Sequence, residues 1–251
     1  MLFKEIKNYF ESKNFDFFNF DSVNSTMEIS KKKLKKKNLC IVANTQTNGI
    51  GRRGNKWISL EGNLHLSYLI KYNLEIKDHF IFTAAIASSV CELVQKVCKV
   101  DSFIKWPNDI IIYNSKISGI MSELYNSNNQ NYIILGVGIN IVSSPKIDNY
   151  STTYTSFYNQ NINKEDLILN LSKIFFNKYD SILSNDYKKI ILNYKKNLMH
   201  LGKKINIQHN NDIFSILFED INLDGSILAN INGINKNIYS GRILDDSSRH
   251  W

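Results

Sequence analysis

The chain has 251 residues, 43% of them apolar and 22% charged, which is ordinary for a globular protein with one large domain or one domain and a small appendage. The formal net charge of +8 comes from lysines spread along the chain rather than from one basic module, so it gives little support to nucleic-acid binding. The sequence shows neither an uninterrupted apolar run of membrane-spanning length nor the apolar core of a signal peptide.

The three cysteines, Cys40, Cys91 and Cys98, lie in apolar contexts and lack the spacing of metal ligands. This pattern favours buried thiols in a reducing compartment. We therefore expect a cytoplasmic protein.

Two short helices are predicted near the amino terminus. Residues 2–11 favour the first, and the aromatic stretch FDFFNF leads on to DSVNSTMEIS. Ser22 or Asn24 is expected to cap a second helix beginning near Ser25, because either side chain can accept from the free N–H groups of a first turn. The basic run KKKLKKK at 31–37 is typical of a solvated helix end.

The stretch from Thr45 to Asn63 reads TQTNGIGRRGNKWISLEGN and lies between apolar segments at 39–44 and 64–71 that favour strands. Its glycines permit positive φ and close approach of the backbone to a ligand. Its adjacent arginines suit carboxylate or phosphate. The segment alone fits an anion-binding loop and a mobile surface loop about equally well.

A nearly apolar segment from Ile76 to about Val97 predicts a buried central helix. Two later helices are predicted at about 163–183 and 186–199. Asn163, with Asp166 three residues on, resembles the cap of the first of these.

Isoleucine-rich runs between the central and later helices predict an antiparallel meander, with turns that include 107–109 and 126–131. After Gly202, four or five short strands separated by turn residues predict a small β-barrel. We therefore expect two domains, 1–200 and 201–251.

Several stretches carry side chains suited to chemistry. Ser25 and Thr26 stand at a predicted helix start, where they either hold a polar ligand or act as a plain cap. Asn108 and Asp109 offer oxygen ligands for Mg²⁺, although the Trp-Pro turn beside them can also be purely structural. Lys116 faces either a pocket or solvent, and taken alone it favours solvent.

The strand that ends in GVGIN carries two glycines, which indicate close approach of another group to its backbone. No Ser-His-Asp or Cys-His nucleophile emerges from the sequence, and it contains no Walker-type loop.

The segments GIGRRGNKW, KWPNDI, KISGIMSE and GVGIN, in this order and spacing, resemble biotin protein ligase, also called biotin–[acetyl-CoA carboxylase] ligase. The resemblance extends from about Phe20 to the carboxyl terminus and is strongest between Ser25 and Asn140. It implies an α+β fold, with a catalytic domain related to class II aminoacyl-tRNA synthetases, a mixed or antiparallel sheet, and a small SH3-like β-barrel. It also implies the form without an N-terminal DNA-binding domain, since only about 20 residues precede the motifs.

The resemblance assigns roles to matching positions. Biotin-binding positions are Ser25, Thr26, Gln46, Gly49, Arg52, Lys116 and Gly119. ATP-binding positions are Arg52, Arg53, Trp57, Asn108, Lys116 and Asn140, and Asn108 and Asp109 match the metal side. The implied catalytic residues are Arg52 and Lys116 at the reacting anions, and Asp109 at the acceptor amine or the metal. The family's loop usually reads GRGRRGR, and Ile50 and Asn55 replace two of its arginines here, which leaves open the role of charge at those positions.

The implied activity converts biotin and MgATP to biotinyl-5'-AMP and transfers biotin to a lysine of a carboxylase's biotin carboxyl carrier domain. We expect no specific DNA binding and no membrane association. The oligomeric state is left undecided, with a homodimer as one possibility. A lipoate–protein ligase of related fold is the nearest rival, and a basic nucleic-acid-binding protein that uses GRRG as a phosphate contact is a rival from another class.

Overall fold

The computed structural model describes residues 2–73, 79–209 and 212–244. Within those ranges the helices are α1 (Leu2–Ser12), α2 (Thr26–Lys33), α3 (Phe80–Cys98), α4 (Thr155–Tyr158), α5 (Lys164–Leu183) and α6 (Tyr187–Lys196). The strands are β1 (Phe15–Val23), β2 (Asn38–Gln46), β3 (Gly49–Ile50), β4 (Lys56–Trp57), β5 (Leu64–Lys71), β6 (Phe103–Lys105), β7 (Asp109–Ile112), β8 (Ser115–Ser127), β9 (Gln130–Ile139), β10 (Lys204–His209), β11 (Asp212–Ile221), β12 (Ile227–Ile231), β13 (Ile234–Ile238) and β14 (Arg242–Leu244). A 3-10 turn spans Arg52–Gly54.

Seven strands form the main sheet, in the order β1-β2-β5-β9-β8-β7-β6. β1 and β2 are parallel and the other neighbours are antiparallel, so the sheet is mixed, as expected. Strands β6 to β9 follow one another as a meander, which confirms that prediction. Asn128 and Asn129, with positive φ of 51° and 58°, make the two-residue turn between β8 and β9.

The helix α3 is the centre of the core. It packs against the sheet and against α5 and α6, and most of its 19 residues are buried. Its length and hydropathy would suit a membrane span, but 78% of that stretch is buried inside the protein, as in a core helix. The prediction of a buried central helix is confirmed from Phe80 onward, and its predicted start at Ile76 lies outside the described residues.

The cap predicted for α5 is present. Asn163 Oδ1 accepts from the backbone N–H groups of Glu165 at 2.8 Å and Asp166 at 3.3 Å. These bonds satisfy two of the free donors of the first turn. The next helix, α6, ends at Lys196, three residues before the predicted end.

The first strand of the sheet was not predicted from the sequence. FDFFNF and the residues after it form β1, which lies at the edge of the sheet and pairs with β2. Its burial pattern does not alternate along the strand: the two end residues, Phe15 and Val23, are buried and those between them are half-buried or exposed. The sequence therefore lacks the period of two that identifies a half-buried strand.

The predicted caps of α2 are wrong. Ser22 belongs to β1, where it pairs with Thr45, and Ser25 rather than Asn24 occupies the N-cap position without making a side-chain cap bond. The N–H of Thr26 donates instead to the side-chain oxygen of Gln46, 2.8 Å away. The cap therefore comes from a neighbouring strand, which a local sequence pattern cannot reveal.

The last five strands form a separate antiparallel sheet in the order β13-β12-β11-β10-β14. The expected carboxyl-terminal β-structure is thus confirmed, with five strands. The indole N–H of Trp106 donates to the carbonyl of Gly225 at 2.9 Å, and Lys195 pairs with Asp220 at 2.7 Å, so this sheet packs directly against the rest of the chain. The division at residue 200 stays a prediction.

Candidate active site

A cavity of about 470 Å³ opens on the face of the main sheet that carries α2. That volume lies within the range of about 300–1,000 Å³ usual for small-molecule sites. Its walls come from the start of α2, the glycine-rich segment, the turn before β7, strands β8 and β9, the loop at 147–151, and β14. Segments far apart in the sequence therefore meet at one site.

Three uncharged polar side chains line part of this cavity, and with Ser67, which contacts Thr26, they form what we call the polar end: Ser25, Thr26, Gln46 and Ser67. Thr26 Oγ1 lies 2.7 Å from Ser67 Oγ and 3.1 Å from Gln46 Oε1. Gln46 Nε2 donates to Ser59 Oγ at 3.0 Å, which fixes the orientation of the amide. The hydroxyl oxygen of Ser25 is buried and has no hydrogen-bond partner among the described residues, so it is available to a ligand.

Another part of the cavity wall comes from residues 49–57, which we call the glycine flap and most of which line the cavity. Within the flap, β3 and β4 pair as a small hairpin, and Gly51 N–H donates to Asn55 O at 2.8 Å. Arg53 and Gly54 at its tip have positive φ of 54° and 77°. The predicted loop between strands is therefore a folded, glycine-dependent hairpin rather than an irregular loop.

Arg52 reaches from the flap to the turn before β7. Its Nη1 donates to Asn108 Oδ1 at 3.1 Å, and Asn108 Nδ2 donates to Ile120 O at 2.6 Å, which fixes the amide. Burial lowers the pKa of the Arg52 guanidinium, and the charge of Arg53 adds to this effect, while Asp109 and Tyr194 oppose it. Arginine nevertheless stays charged at any physiological pH.

Lys116 also faces the cavity, which decides between the two interpretations open from the sequence. Its Nζ lies 2.8 Å from Asp109 Oδ1, 5.7 Å from the centre of the Trp57 ring and 5.5 Å from the centre of the Tyr150 ring. The ammonium is thus held by one carboxylate and two aromatic faces. Tyr150 was not identified by sequence reasoning.

The glycines of β8 and β9 make room for large side chains. A Cβ at Gly138 would overlap the Trp57 indole, and one at Gly119 would lie 2.9 Å from the same ring. A Cβ at Gly136 would lie 2.9 Å from the sulfur of Met27. The close approach predicted for the GVGIN strand is confirmed, and the approaching groups are these two side chains.

Asn140 lies beside a small second cavity of about 30 Å³, which it shares with Trp57, Lys116 and Tyr150. Its Nδ2 donates to Thr153 O at 3.0 Å, which fixes the amide plane. In the part of the chain that the structure describes, its buried Oδ1 has no hydrogen-bond partner. A ligand that donates an N–H group would satisfy this oxygen.

Most of the predicted site residues line the main cavity: Ser25, Thr26, Gln46, Arg52, Arg53, Trp57, Asn108, Asp109, Lys116 and Gly119. Two predicted positions lie elsewhere. Asn140 borders the small cavity, and Gly49 pairs with Trp57 in the flap, where an added Cβ would meet Gln46 and Ser59. Gly49 therefore supports the wall of the site from behind.

The charge of the cavity is strongly positive. Among the described residues that line it, six are basic: Arg52, Arg53, Lys56, Lys105, Lys116 and Arg242. Asp109 is the single acidic one in that same set, and it pairs with Lys116. Such an excess of cations in a concave site favours a ligand with several negative charges.

The donor groups for a metal ion are few. The described residues contain no cluster of three or more His, Cys, Asp or Glu side chains that could hold one. Asn108 Oδ1 already accepts from Arg52, which leaves the carboxylate of Asp109 as the suitable oxygen donor of the predicted pair. One carboxylate fits Mg²⁺ that is bound mainly through substrate phosphates.

Sequence reasoning missed several residues that line the cavity or brace its walls. Ser67 and Met27 have no motif of their own and are recognisable only by their contacts across strands. Tyr150 lies in a polar loop, and Arg242 comes from the second sheet. An exposed aromatic residue in a long polar loop is the one signal that could have identified Tyr150.

Comparison with known proteins agrees with this geometry. Residues 19–140 match the Biotin/lipoate A/B protein ligase family. The chain is 25% identical over 210 residues to the bifunctional ligase/repressor BirA of Bacillus subtilis, covering 81% of this chain and 65% of that protein. It is 32% identical over 123 residues to the BirA protein of Escherichia coli, covering 48% of this chain and 38% of that one.

Among solved structures, the biotin protein ligase of Aquifex aeolicus in complex with biotin and ATP superposes with a TM-score of 0.76 at 22% identity. The match covers 92% of this chain and 98% of that one. The chain spans about 65% of the length of the curated relatives that it matches over most of its own length. Its fold is therefore that of the biotin protein ligases.

Proposed function

We propose that this chain activates biotin with MgATP to form biotinyl-5'-AMP and then transfers biotin to a lysine of a carrier protein. The observation that carries the proposal is the polarity of the cavity. Uncharged polar side chains, among them the buried Ser25 and Thr26, line the same cavity as a cluster of cations. A ligand with a neutral polar head and an acidic tail fits that arrangement.

At the polar end, Ser25, Thr26 and Gln46 would hold the neutral head of biotin. Ser25 offers an unpaired buried hydroxyl, while Thr26 and Gln46 are already oriented by their bonds to each other. A ligand group that completes this network gains affinity, because it satisfies polar atoms that are otherwise buried without a partner. The apolar chain of biotin would extend from there toward the cations.

In the first step, a carboxylate oxygen of biotin attacks the α-phosphorus of ATP, and pyrophosphate leaves. Two anions must approach each other, and charge increases on the phosphoryl oxygens in the transition state. Arg52 and Lys116 would offset this repulsion from fixed positions, one held by Asn108 and the other by Asp109. Preorganised cations of this kind lower the barrier without reorganising during the reaction.

On the nucleotide side, we propose Trp57 and Asn140 at the adenine, and Arg53 and Asn108 near the phosphates. The fixed amide of Asn140 presents its unpaired oxygen, which can accept from an exocyclic amine. Asp109 would hold Mg²⁺ together with the phosphates. When bound, the ion supplies charge neutralisation at the phosphate oxygens.

In the second step, the acceptor lysine amine attacks the acyl carbon of the mixed anhydride, AMP leaves, and the amine loses a proton. Asp109 is the candidate for orienting that amine. The anhydride hydrolyses in water, so the glycine flap must exclude water while the intermediate waits for its acceptor. The partner is a biotin carboxyl carrier domain of a carboxylase, in the cytoplasm.

The direct test is to incubate the protein with MgATP, biotin and a carrier domain, and to detect the modified lysine by mass spectrometry. A carrier domain with its acceptor lysine changed to arginine is the control for specific transfer. Lipoate in place of biotin tests the rival substrate. Transfer of lipoate but not biotin, or no ATP-dependent reaction with either acid, would contradict the proposal.

A further inference from the structure

We infer that Tyr150 is a positioning residue for adenylation: its ring holds the Lys116 ammonium in the orientation needed by the reacting anions. This inference rests on the proposed function for its kinetic consequence, but the contact itself is independent of it. The Nζ of Lys116 lies 5.5 Å from the centre of the Tyr150 ring. That separation is within the range of about 6 Å at which a cation is attracted to an aromatic face.

The loop that carries Tyr150 is anchored to the same residue that its ring contacts. Lys116 N–H donates to Ser151 O at 2.8 Å, and Thr153 N–H donates to Lys116 O at 2.9 Å. Lys116 and Thr152 therefore form a parallel bridge. The backbone of Lys116 thus fixes the position of the loop. The side chain of Lys116 reaches the ring of Tyr150, which lies two residues before the bridged Thr152.

Further bonds stiffen the loop on both sides of this anchor. Thr152 Oγ1 donates to Pro145 O at 2.6 Å, and Asn140 Nδ2 donates to Thr153 O at 3.0 Å. The ring of Tyr150 is 43% exposed, but the backbone beside it is tied to β8 and to the residue that follows β9. A stiff loop that presents an exposed ring suits a contact role better than a packing role.

Lys116 needs such support because a lysine side chain has several rotatable bonds and one compact charge. Asp109 limits it on one side, and the rings of Trp57 and Tyr150 limit it on two others. Lys116 also lines both cavities. The ammonium is thereby directed toward the space where ligand anions would lie, and Tyr150 is the one of these three supports that no sequence motif predicts.

The contact can be measured without any activity. The methylene protons next to Nζ of Lys116 should resonate upfield, because Nζ lies within 6 Å of two ring centres, and their signal is assigned by its loss in Lys116→Gln. Tyr150→Leu should move that signal downfield, whereas Tyr150→Phe should leave it upfield. An unchanged signal in Tyr150→Leu overturns the inference.

The kinetic consequence is tested by biotin-dependent exchange between pyrophosphate and ATP. Tyr150→Leu should lower kcat about two- to fivefold, with a smaller change in KM for biotin, and Tyr150→Phe should restore the rate. Tyr9→Leu is a matched control, because Lys173 lies 5.9 Å from the Tyr9 ring in a similar pair outside the cavity. That variant should leave the exchange rate per folded molecule unchanged.

A double-mutant cycle shows whether Tyr150 acts through Lys116. In a Lys116→Gln background, adding Tyr150→Leu should cause no further loss of exchange. An equal loss in both backgrounds overturns the inference, as does an exchange rate that Tyr150→Leu leaves unchanged. If the wild-type protein shows no exchange with biotin, the proposed function fails, while the resonance measurement still decides whether Tyr150 positions Lys116.

Discussion

One end of the cavity rests on paired strands in the middle of the main sheet, whereas the other is covered by a short glycine-rich hairpin. Thr26, Gln46 and Ser67 of the polar end are joined by side-chain hydrogen bonds, and β2 and β5 pair directly with each other. The glycine flap has a two-residue pairing and exposed residues at 53–56. In the proposed reaction, the first region would recognise a neutral ligand head, which needs fixed partners, and the second would cover a reactive intermediate, which needs movement.

The largest expected effect is a contrast in hydrogen exchange between these two regions. In the free protein, the amides of Gly51 and Asn55 should exchange on the order of a thousandfold faster than those of Ile41 and Leu66, because local opening of the flap costs far less than global unfolding. Biotin with MgATP should slow exchange in the flap selectively. A free flap as protected as the flanking strands would show that it is not a closing lid.

A smaller effect is expected from Lys116→Gln, which removes a charge and leaves both regions folded. Loss of a charge-assisted hydrogen bond of roughly 1.5–3 kcal/mol implies a decrease in adenylate formation on the order of 10- to 100-fold. The measurement is pyrophosphate exchange, with the midpoint of urea unfolding as the control for stability. Unchanged exchange would show that the charge of Lys116 does not contribute to adenylation.

The free energy of unfolding should depend on pH through a histidine of β5, the strand that also carries Ser67. Burial and the nearby charge of Lys164 lower the pKa of His65 on β5 from 6.5 to about 4. Between these values the unfolded chain binds more protons, so the free energy of unfolding should fall as the pH drops from about 6.5 toward 4. The expected loss from this group is about 2 kcal/mol at pH 5.

Urea unfolding at pH 7.5 and pH 5 checks this expectation, with His65→Leu as the comparison. The variant lacks the titrating group, so its stability should change less between the two pH values than that of the wild-type protein. An equal change in both proteins would mean that other groups cause the acid sensitivity.

The smallest expected effect concerns the flap's own link to the bound anion. Arg52→Gly removes that link and adds a fourth glycine to residues 49–54, so the open flap gains conformational entropy. Synthesis of the adenylate can still use Lys116, but its retention should weaken. We expect about three- to tenfold more labelling of an unrelated lysine-rich protein, since about 1 kcal/mol changes an equilibrium roughly fivefold. Labelling at or below the wild-type level, at equal pyrophosphate release, would exclude Arg52 as the residue that holds the flap closed.

Patterns with a strong period or a specific turn were predictable from the sequence. The buried helix α3, the meander from β6 to β9 and the cap at Asn163 all follow from local chemistry. The motif residues that line the cavity were also predictable, because the glycine-rich segment and the turn at 107–109 are recognisable from their residue types alone. Their proximity was an expectation from resemblance, and the structure shows that ten of them line one cavity.

What the sequence could not reveal depends on neighbours distant along the chain. The cap of α2 comes from Gln46, twenty residues away, and β1 is recognisable only through its pairing with β2. The position of the Lys116 ammonium was decided by Asp109 and two rings from separate segments. By itself the sequence determined which residue types, turns and periodic elements are present. Only the tertiary structure decided which polar atoms are satisfied and where each charge points, because hydrogen bonds and desolvation act through space.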